Sequence, residues 1–282
     1  MRVTSLIENS GIDGRDDLHP EFGMSMLAEV GETKILFDMG TTAAFASNAA
    51  ALGKDLADVD AAVVSHQHFD HGGGLEHFLG VNTRAIVFLR RAPVVDRWFK
   101  ALGVINRPVG LDRSVLDRFS KRIEFVEGMR LIAPGVYLLT DIGSAHPRPN
   151  GNRRLFAEVD GAIRRDPFDH EMMMVVHEDD GMTVFSGCSH SGILNLIDAA
   201  TAQFPRVPIK AVFGGFHLIG LPFYSSMAAS RVEVREIGWK IVEKVQGTVY
   251  SGHCTGAKAF KVLAGVMGES LQPFPTGATA EV

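Results

Sequence analysis

AVVSHQHFDHGGGL, residues 62–75, places three histidines and an aspartate within six positions directly after an apolar run. These side chains are His66, His68, Asp70 and His71, in the pattern H-x-H-x-D-H. Side chains two apart on extended backbone point the same way, so His66 and His68 can face one ion. Imidazole and carboxylate groups suit zinc, manganese and iron. Because histidine supplies only 11 of 282 residues, the cluster indicates a metal site rather than a solvated turn.

The glycines at 72–74 predict that the backbone packs tightly beneath this site. Three later apolar strands also end in glycine and a polar residue. They supply Cys188 and His190 in FSGCSHSG, His217 in FGGFHL, and His253 in YSGHCTG. Active sites of α/β proteins gather where strands end at one edge of a sheet. A single histidine at a strand end is otherwise typical of a structural hydrogen bond, and this alternative stays open for His217.

Strand-like apolar runs occur together with segments whose apolar residues recur at helical spacing, and this combination predicts an α/β protein. The runs at 24–30 and 33–40 predict a hairpin, and so do those at 171–178 and 182–188, which DDG joins. Ser230 is a candidate cap for a helix that buries Val234, Ile237, Ile241 and Val245. The predicted helices span 42–52, 92–101, 113–121, 191–203, 230–245 and 256–267.

Two segments differ in composition from the rest. Residues 90–122 are rich in arginine, and residues 143–169 read as a long loop with further arginines. Guanidinium groups bind phosphate and carboxylate in a bidentate manner, so the segments indicate a small anionic substrate. Solvated pairs with neighbouring acids remain the alternative for any single arginine.

Composition excludes several classes of protein. A net charge of -5 and a pI near 6.1 argue against nucleic-acid binding. No apolar run is long enough to cross a bilayer, and the start of the chain does not resemble a signal peptide. Two distant cysteines do not make a disulfide framework. We therefore expect a cytoplasmic protein with no membrane or nucleic-acid partner, and the oligomeric state stays open.

The motifs resemble the metallo-β-lactamase superfamily, whose signature is H-x-H-x-D-H after a strand. ILFDMG, with Asp38, resembles the preceding motif of that superfamily. LIEN, GCSHSGILN, GGFHL and GHCTG resemble the subgroup named for dihydropterin–ribofuranosylaminobenzene phosphate synthase. The resemblance implies a four-layer αβ/βα sandwich over residues 1–282, with the metals in the cleft between the sheets. The segments near 90–122 and 143–169 would be substrate-side insertions in this single domain.

The resemblance also implies a ligand set for two divalent ions, with zinc favoured over manganese or iron. The first ion would take His66, His68 and His190, and the second Asp70, His71 and His253. Asp38 would orient the histidine turn from behind. His170 competes with His190 for the third place on the first ion, and GCSH favours His190.

Cys188 departs from the pattern of the superfamily, in which an aspartate at this point bridges both metals. It is either a thiolate ligand or a small buried side chain. The resemblance implies attack by a metal-activated water. Asp70 is a candidate acceptor for the water proton, and His217 is a candidate to protonate a leaving group or to hold a developing anion. We predict a metal-dependent hydrolase for a small anionic substrate, of which a phosphorylated molecule is one case. The alternatives are a transferase of the synthase type and a non-catalytic metal protein that binds or senses a ligand.

Overall fold

The secondary structure comes from a computed structural model that describes residues 1–221 and 226–282. The strands are β1 (Arg2–Ile7), β2 (Ser25–Val30), β3 (Thr33–Phe37), β4 (Ala61–Val63), β5 (Ile86–Arg90), β6 (Arg97–Ala101), β7 (Ile105–Pro108), β8 (Ile123–Val126), β9 (Met129–Ala133), β10 (Val136–Leu139), β11 (Leu155–Val159), β12 (Ala162–Arg165), β13 (Met173–Glu178), β14 (Gly181–Phe185), β15 (Ile209–Phe213), β16 (Val245–Ser251), β17 (Leu271–Pro273) and β18 (Thr279–Glu281). The helices are α1 (Ala44–Ala51), α2 (Phe69–Gly72), α3 (Leu75–Val81), α4 (Arg113–Arg118), α5 (Ile193–Gln203), α6 (Arg231–Lys244) and α7 (Ala257–Met267).

The chain forms two compact units. The first contains residues 1–126, 154–170 and 275–282, and the second contains residues 127–153 and 171–274. Each unit has its own mixed sheet, its own helices and its own apolar core. The α/β class predicted from the sequence is therefore confirmed, whereas the description as a single domain with substrate-side insertions stays a prediction.

The main sheet of the first unit has the order β18-β1-β2-β3-β4-β5-β8 within the described residues. β2 and β3 form the predicted antiparallel hairpin, and β3, β4, β5 and β8 run parallel. Parallel neighbours end at the same edge of a sheet. This topology brings Asp38, which follows β3, next to the turn that follows β4. Phe45 and Phe78 are buried in the apolar core of this unit.

The sheet of the second unit has the order β17-β16-β15-β14-β13-β10-β9 in the part of the chain that is described. β13 and β14 form the second predicted hairpin, and β14 to β17 run parallel. β14, β15 and β16 therefore end at one edge, and each is followed by a predicted site residue. These residues are Cys188, His217 and His253.

A small sheet in the first unit corrects two expectations. Residues 92–101 do not form a helix, because Arg97–Ala101 is strand β6. The expected long loop at 143–169 contains the hairpin of β11 and β12. β6 pairs with β11 and β7, which gives the order β12-β11-β6-β7 among the described strands. β7 follows β6 closely and forms a local hairpin with it, whereas the pairing of β6 with β11, more than 50 residues away, is a contact that local sequence does not record.

The remaining helices agree closely with their patterns. Ser230 caps α6 through a capping box with Glu233, and Val234 and Ile241 are buried as predicted. Val245 is already the first residue of β16, so the helix ends one residue earlier than predicted. Among the described residues, no helix has the length and apolar character needed to cross a membrane.

Candidate metal centre

The turn after β4 gathers the histidines of the opening motif inside the first unit. The ring of His66 lies 4.6 Å from that of His68 and 4.2 Å from that of His71, between centroids. Asp70 Oδ2 lies 3.9 Å from His71 Nε2. All four side chains are buried. The sequence motif therefore forms a buried cluster of nitrogen and oxygen donors, and the solvated turn is excluded.

Asp38 fixes the proton positions on two of these rings. Its carboxylate accepts hydrogen bonds from Ser65 N (2.7 Å), Ser65 Oγ (2.7 Å) and His71 Nδ1 (2.6 Å). Because the Ser65 hydroxyl donates to Asp38, the contact of 2.9 Å between His66 Nδ1 and Ser65 Oγ has His66 as its donor. Both rings thus carry their proton on Nδ1, and Nε2 presents a lone pair. Sequence analysis anticipated Asp38 and missed Ser65.

Burial favours the neutral form of His68. Removal from water lowers the pKa of His68 to about 3, an effect that nearby His170 reinforces and the Asp70 carboxylate opposes. Neutral imidazole is the form that binds metals. The residues of this turn therefore fit a divalent cation by their donor atoms and by their protonation.

The glycines after the motif permit the predicted close packing. A Cβ atom at Gly73 would lie 2.2 Å from Thr41 O, and one at Gly74 would lie 2.3 Å from Met39 O. Real Cβ atoms essentially never approach closer than 3.0 Å. Gly73 N donates to Gly40 O (2.9 Å), which draws the backbone after the motif against the segment after β3.

His170 uses both ring nitrogens within the first unit. Its Nδ1 accepts a hydrogen bond from the backbone N–H of Gln67 (3.0 Å), and its Nε2 lies 3.2 Å from Asp166 Oδ1. His68, Asp166 and His170 do offer donor atoms within 4.8 Å of one another. The guanidinium of Arg97 nevertheless already lies 3.1 Å from the carboxylate of Asp166. A metal ion bound at Asp166 would therefore be repelled by the positive charge of Arg97. In this geometry both ring nitrogens of His170 have hydrogen-bond partners within the first unit.

The second unit brings together three of its predicted donors. Cys188, His190 and His217 offer ligand atoms within 4.8 Å of one another, and the rings of the two histidines lie 4.2 Å apart. His253 is buried and begins a 3₁₀ turn directly after β16. His217 and His253 both have φ near +47°, a left-handed conformation that side chains rarely adopt. Such strain is typical of functional sites.

Asn152 holds His190 from two sides. Its Oδ1 lies 2.9 Å from His190 Nδ1, and its Nδ2 donates to His190 O (2.8 Å). An amide oxygen can only accept, so His190 carries its proton on Nδ1 and presents Nε2, as His66 and His71 do. Glu171 accepts from the backbone of His190 and Ser191 at 2.6 Å each, and burial raises the pKa of Glu171. Sequence reasoning missed Asn152, which lies in the segment read as a loop.

The two cysteines are buried free thiols, in agreement with the expected lack of a disulfide. Cys254 Sγ accepts from His217 N (3.3 Å). Burial acts to raise the pKa of the Cys254 thiol, but hydrogen bonds with Cys188 and His217 outweigh it and lower that pKa well below its usual value.

A cavity of about 230 Å³ also lies in the second unit. Its lining includes His146 and Arg148 from the loop before Asn152, Gly192 at the start of α5, and Glu236 and Lys240 from α6. The loop that clamps His190 thus also forms one wall of a cavity large enough for part of a small molecule.

Fewer arginines are available to bind an anionic substrate than the sequence indicates. Four of the arginines in the segment 90–122 are held by protein groups: Arg97 by Asp166, Arg113 by Asp96, Arg118 by Glu76, and Arg122 by backbone and Asn82 oxygens. Arg165 stacks over Phe156, with Cζ 4.7 Å from the ring centroid. Arg107, Arg153 and Arg164 are exposed and remain candidates for binding an anion.

Comparison with known proteins gives three kinds of similarity. A family model described as "Metallo-beta-lactamase superfamily" matches residues 19–190. The 7,8-dihydropterin-6-methyl-4-(beta-D-ribofuranosyl)-aminobenzene-5'-phosphate synthase of Methanocaldococcus jannaschii is 25% identical over 254 residues, which cover 85% of this chain and 82% of that protein. The crystal structure of Tm1679, described as a metal-dependent hydrolase of the beta-lactamase superfamily, is 30% identical, with a TM-score of 0.82 over 100% of this chain and 99% of that one. Zn(2+)-bound PqqB from Methylobacterium extorquens, at 10% identity and a TM-score of 0.56 over 100% of both chains, shows likeness of fold alone.

Proposed function

The chain belongs to the metallo-β-lactamase superfamily, and from that premise we propose that it is a metal-dependent hydrolase acting on a small anionic substrate. The observation that carries the proposal is the proton placement on the buried histidines. Asp38 and Ser65 in the first unit, and Asn152 in the second, hold imidazoles with the proton on Nδ1. Structural histidines need no such common orientation, whereas metal ligands do.

We propose a centre for divalent ions, with zinc the first candidate and manganese or iron the alternatives. The proposed ligands are His66, His68 and His190 for one ion, and Asp70, His71 and His253 for the other, with Cys188 as a further candidate. Donor chemistry and burial of each set support this assignment. When bound, such ions supply Lewis acidity and lower the pKa of water.

Two side chains are proposed to handle protons and charge in the reaction. Asp70 accepts the proton of the attacking water, because its carboxylate lies within the histidine cluster. His217 donates a proton to the leaving group or holds its developing negative charge. In the described part of the chain, the buried Nδ1 of His217 has no hydrogen-bond partner, which leaves that atom available for a substrate.

A transferase is the second candidate, because the M. jannaschii relative is named as a synthase. A synthase of that name and a hydrolase share one requirement, an electrophilic centre on an anionic molecule, and differ in the nucleophile. Supplying a dihydropterin that carries a pyrophosphate leaving group, together with a ribofuranosyl aminobenzene phosphate, to the metal-loaded protein distinguishes them, because coupling would release pyrophosphate. A coupled product would replace the hydrolase proposal by the transferase.

The hydrolase proposal is tested with metal-loaded protein and a panel of phosphodiester, phosphomonoester, lactone and thioester substrates. We expect turnover of at least one class, its loss in His68→Ala, and its retention in the matched control His77→Ala, where the histidine is exposed on α3. If nothing is hydrolysed and His68→Ala changes only ligand binding, the protein is a binding or sensing protein instead.

The ligand assignment has its own test, which is metal content. His190→Ala and His253→Ala should each bind less metal than the parent protein while retaining its circular dichroism spectrum. Full metal content in both variants would contradict the assignment of His190 and His253 as ligands.

A further inference from the structure

A closed ring of hydrogen bonds lies behind the turn that carries His66 and His68. Gln67, the residue between them, donates its backbone N–H to His170 Nδ1 (3.0 Å). His170 Nε2 lies 3.2 Å from Asp166 Oδ1. Asp166 Oδ2 accepts from Arg97 Nε (3.1 Å), and Arg97 Nη1 donates to Gln67 Oε1 (2.9 Å). The four residues thus form a circuit that starts and ends at Gln67.

The direction of each hydrogen bond in the ring is fixed by chemistry. A backbone N–H can only donate, so His170 Nδ1 accepts and the His170 proton lies on Nε2, where it is donated to the carboxylate. Arg97 carries the one positive charge of the ring and Asp166 the one negative charge. All four side chains are buried, and Arg97 is only 2% exposed. A buried network in which every member is satisfied is rigid.

The ring joins the turn to the small sheet. Arg97 begins β6, and Asp166 directly follows β12. Backbone hydrogen bonds make a second link between the turn and the small sheet. Val109 N donates to Arg97 O, and Phe69 N donates to Val109 O, both at 2.9 Å. His68 also forms an isolated antiparallel bridge with Gly110. Contacts from the segment 90–122 therefore reach the turn on both sides of His68, at Gln67 and at Phe69. Asp166, in the segment 143–169, is linked to the turn through Arg97 and His170.

We propose that Arg97, Asp166 and His170 are positioning residues of the metal-binding turn, and that the small sheet is the brace that carries them. The ring fixes the peptide of Gln67, and this peptide sets the directions of the side chains on either side, His66 and His68. The inference rests on the proposed metal centre for its consequence, although the ring itself is independent of any ion. It gives the segments 90–122 and 143–169 a role in holding ligands, in addition to any contact with substrate.

The test uses two substitutions of His170 that differ in one hydrogen bond. Asparagine places its Oδ1 near the position of Nδ1 and can accept from Gln67 N–H, whereas leucine has similar volume and cannot. Each variant is titrated with Co²⁺, whose visible d–d absorption reports ligand geometry. Removing groups that orient metal ligands typically weakens binding about 10–100-fold.

We expect His170→Leu to bind Co²⁺ at least tenfold more weakly with an altered spectrum, and His170→Asn to restore most of both. The control His77→Leu removes an exposed histidine and should match the parent. If His170→Leu matches the parent in affinity and spectrum, or if asparagine and leucine shift them equally, the proposal is overturned.

Two further results are possible, namely a His170→Leu variant that does not fold and a parent protein that binds no metal. If His170→Leu does not fold, Gln67→Met removes the acceptor for Arg97 and the long contact of 3.5 Å from Gln67 Nε2 to Ala92 O, but keeps the backbone N–H that binds His170. The same comparison with the parent then decides the matter. If the parent protein itself takes up no Co²⁺ or Zn²⁺, the proposed metal centre fails. A parent that binds metal beside variants that do not differ from it overturns only the positioning role.

Discussion

Substitution of Gly73 by alanine tests the tight packing beneath the histidine turn. Gly73 has φ -64° and ψ -31°, which alanine adopts without strain. The substitution therefore introduces a steric effect and no conformational one. The new Cβ would lie 2.2 Å from Thr41 O, 2.5 Å from Phe69 O and 2.8 Å from Thr41 C. All three are backbone atoms, so no side-chain rotation relieves the overlap.

The expected cost follows from that overlap. Inserting a methyl group into a packed site typically costs about 1–3 kcal/mol. Because two backbone segments must separate by most of an ångström, we expect about 3 kcal/mol, the upper end of the range. In a protein of this size, that corresponds to a fall in melting temperature of about 6–12 °C. Metal affinity should fall as well, because His71 lies two residues before the displaced atom.

The assay is thermal unfolding followed by circular dichroism, with metal content measured on the same samples. Gly80→Ala is the control, since Gly80 lies in α3 and its new Cβ would meet nothing within 4 Å. There alanine should be neutral or stabilising by up to about 1 kcal/mol, from helix propensity. If Gly73→Ala melts like Gly80→Ala and retains its metal, the steric reasoning is refuted.

Further changes test the orienting groups, the buried ion pair, a helix cap and the metal itself. Asp38→Asn should weaken metal binding about 10–100-fold in chelator competition, because an amide cannot accept from all of its present donors; unchanged affinity would contradict the role of Asp38. Arg97→Met should cost about 3–5 kcal/mol in urea unfolding, since it leaves a buried carboxylate without its cation. The double variant Arg97→Met/Asp166→Leu should recover part of that loss, and strictly additive effects would argue against the pair. Ser230→Ala should cost about 1 kcal/mol through loss of the α6 cap, and a neutral result would mean that the cap contributes nothing. Dialysis against a chelator should lower the melting temperature, because an ion at 100 times its Kd adds about 2.7 kcal/mol to the folded state; a melting temperature independent of metal would count against the centre.

Much of the fold could be predicted because its signals are local. The β2–β3 and β13–β14 hairpins have turn residues between alternating runs, and Ser230 begins α6 as a cap should. The four residues of the opening motif cluster because they lie within a single turn, which sequence spacing records directly. Family resemblance supplied Asp38, whose motif precedes that turn.

What could not be predicted depends on contacts between distant segments. β6 pairs with the nearby β7 and with β11, and the second of these partners lies more than 50 residues away, beyond what a local pattern records. Asn152 and His170 act through geometry alone, since an asparagine in a polar segment and a histidine before a strand carry no spacing signal. Ser65 precedes the motif directly, yet its role is visible only once Asp38 is beside it.

The carboxylate of Asp38 orients two histidines, one by a direct hydrogen bond and the other through an intervening hydroxyl group. His71 donates to Asp38 itself, whereas His66 reaches it only through the Ser65 hydroxyl. Ser65→Ala would therefore release His66 and leave His71 tied, while a change at Asp38 would release both. In protein engineering, a substitution of Ser65 would therefore change the orientation of one proposed ligand at a time. A single substitution of Asp38 in evolution would remove the orienting contact of two proposed ligands at once.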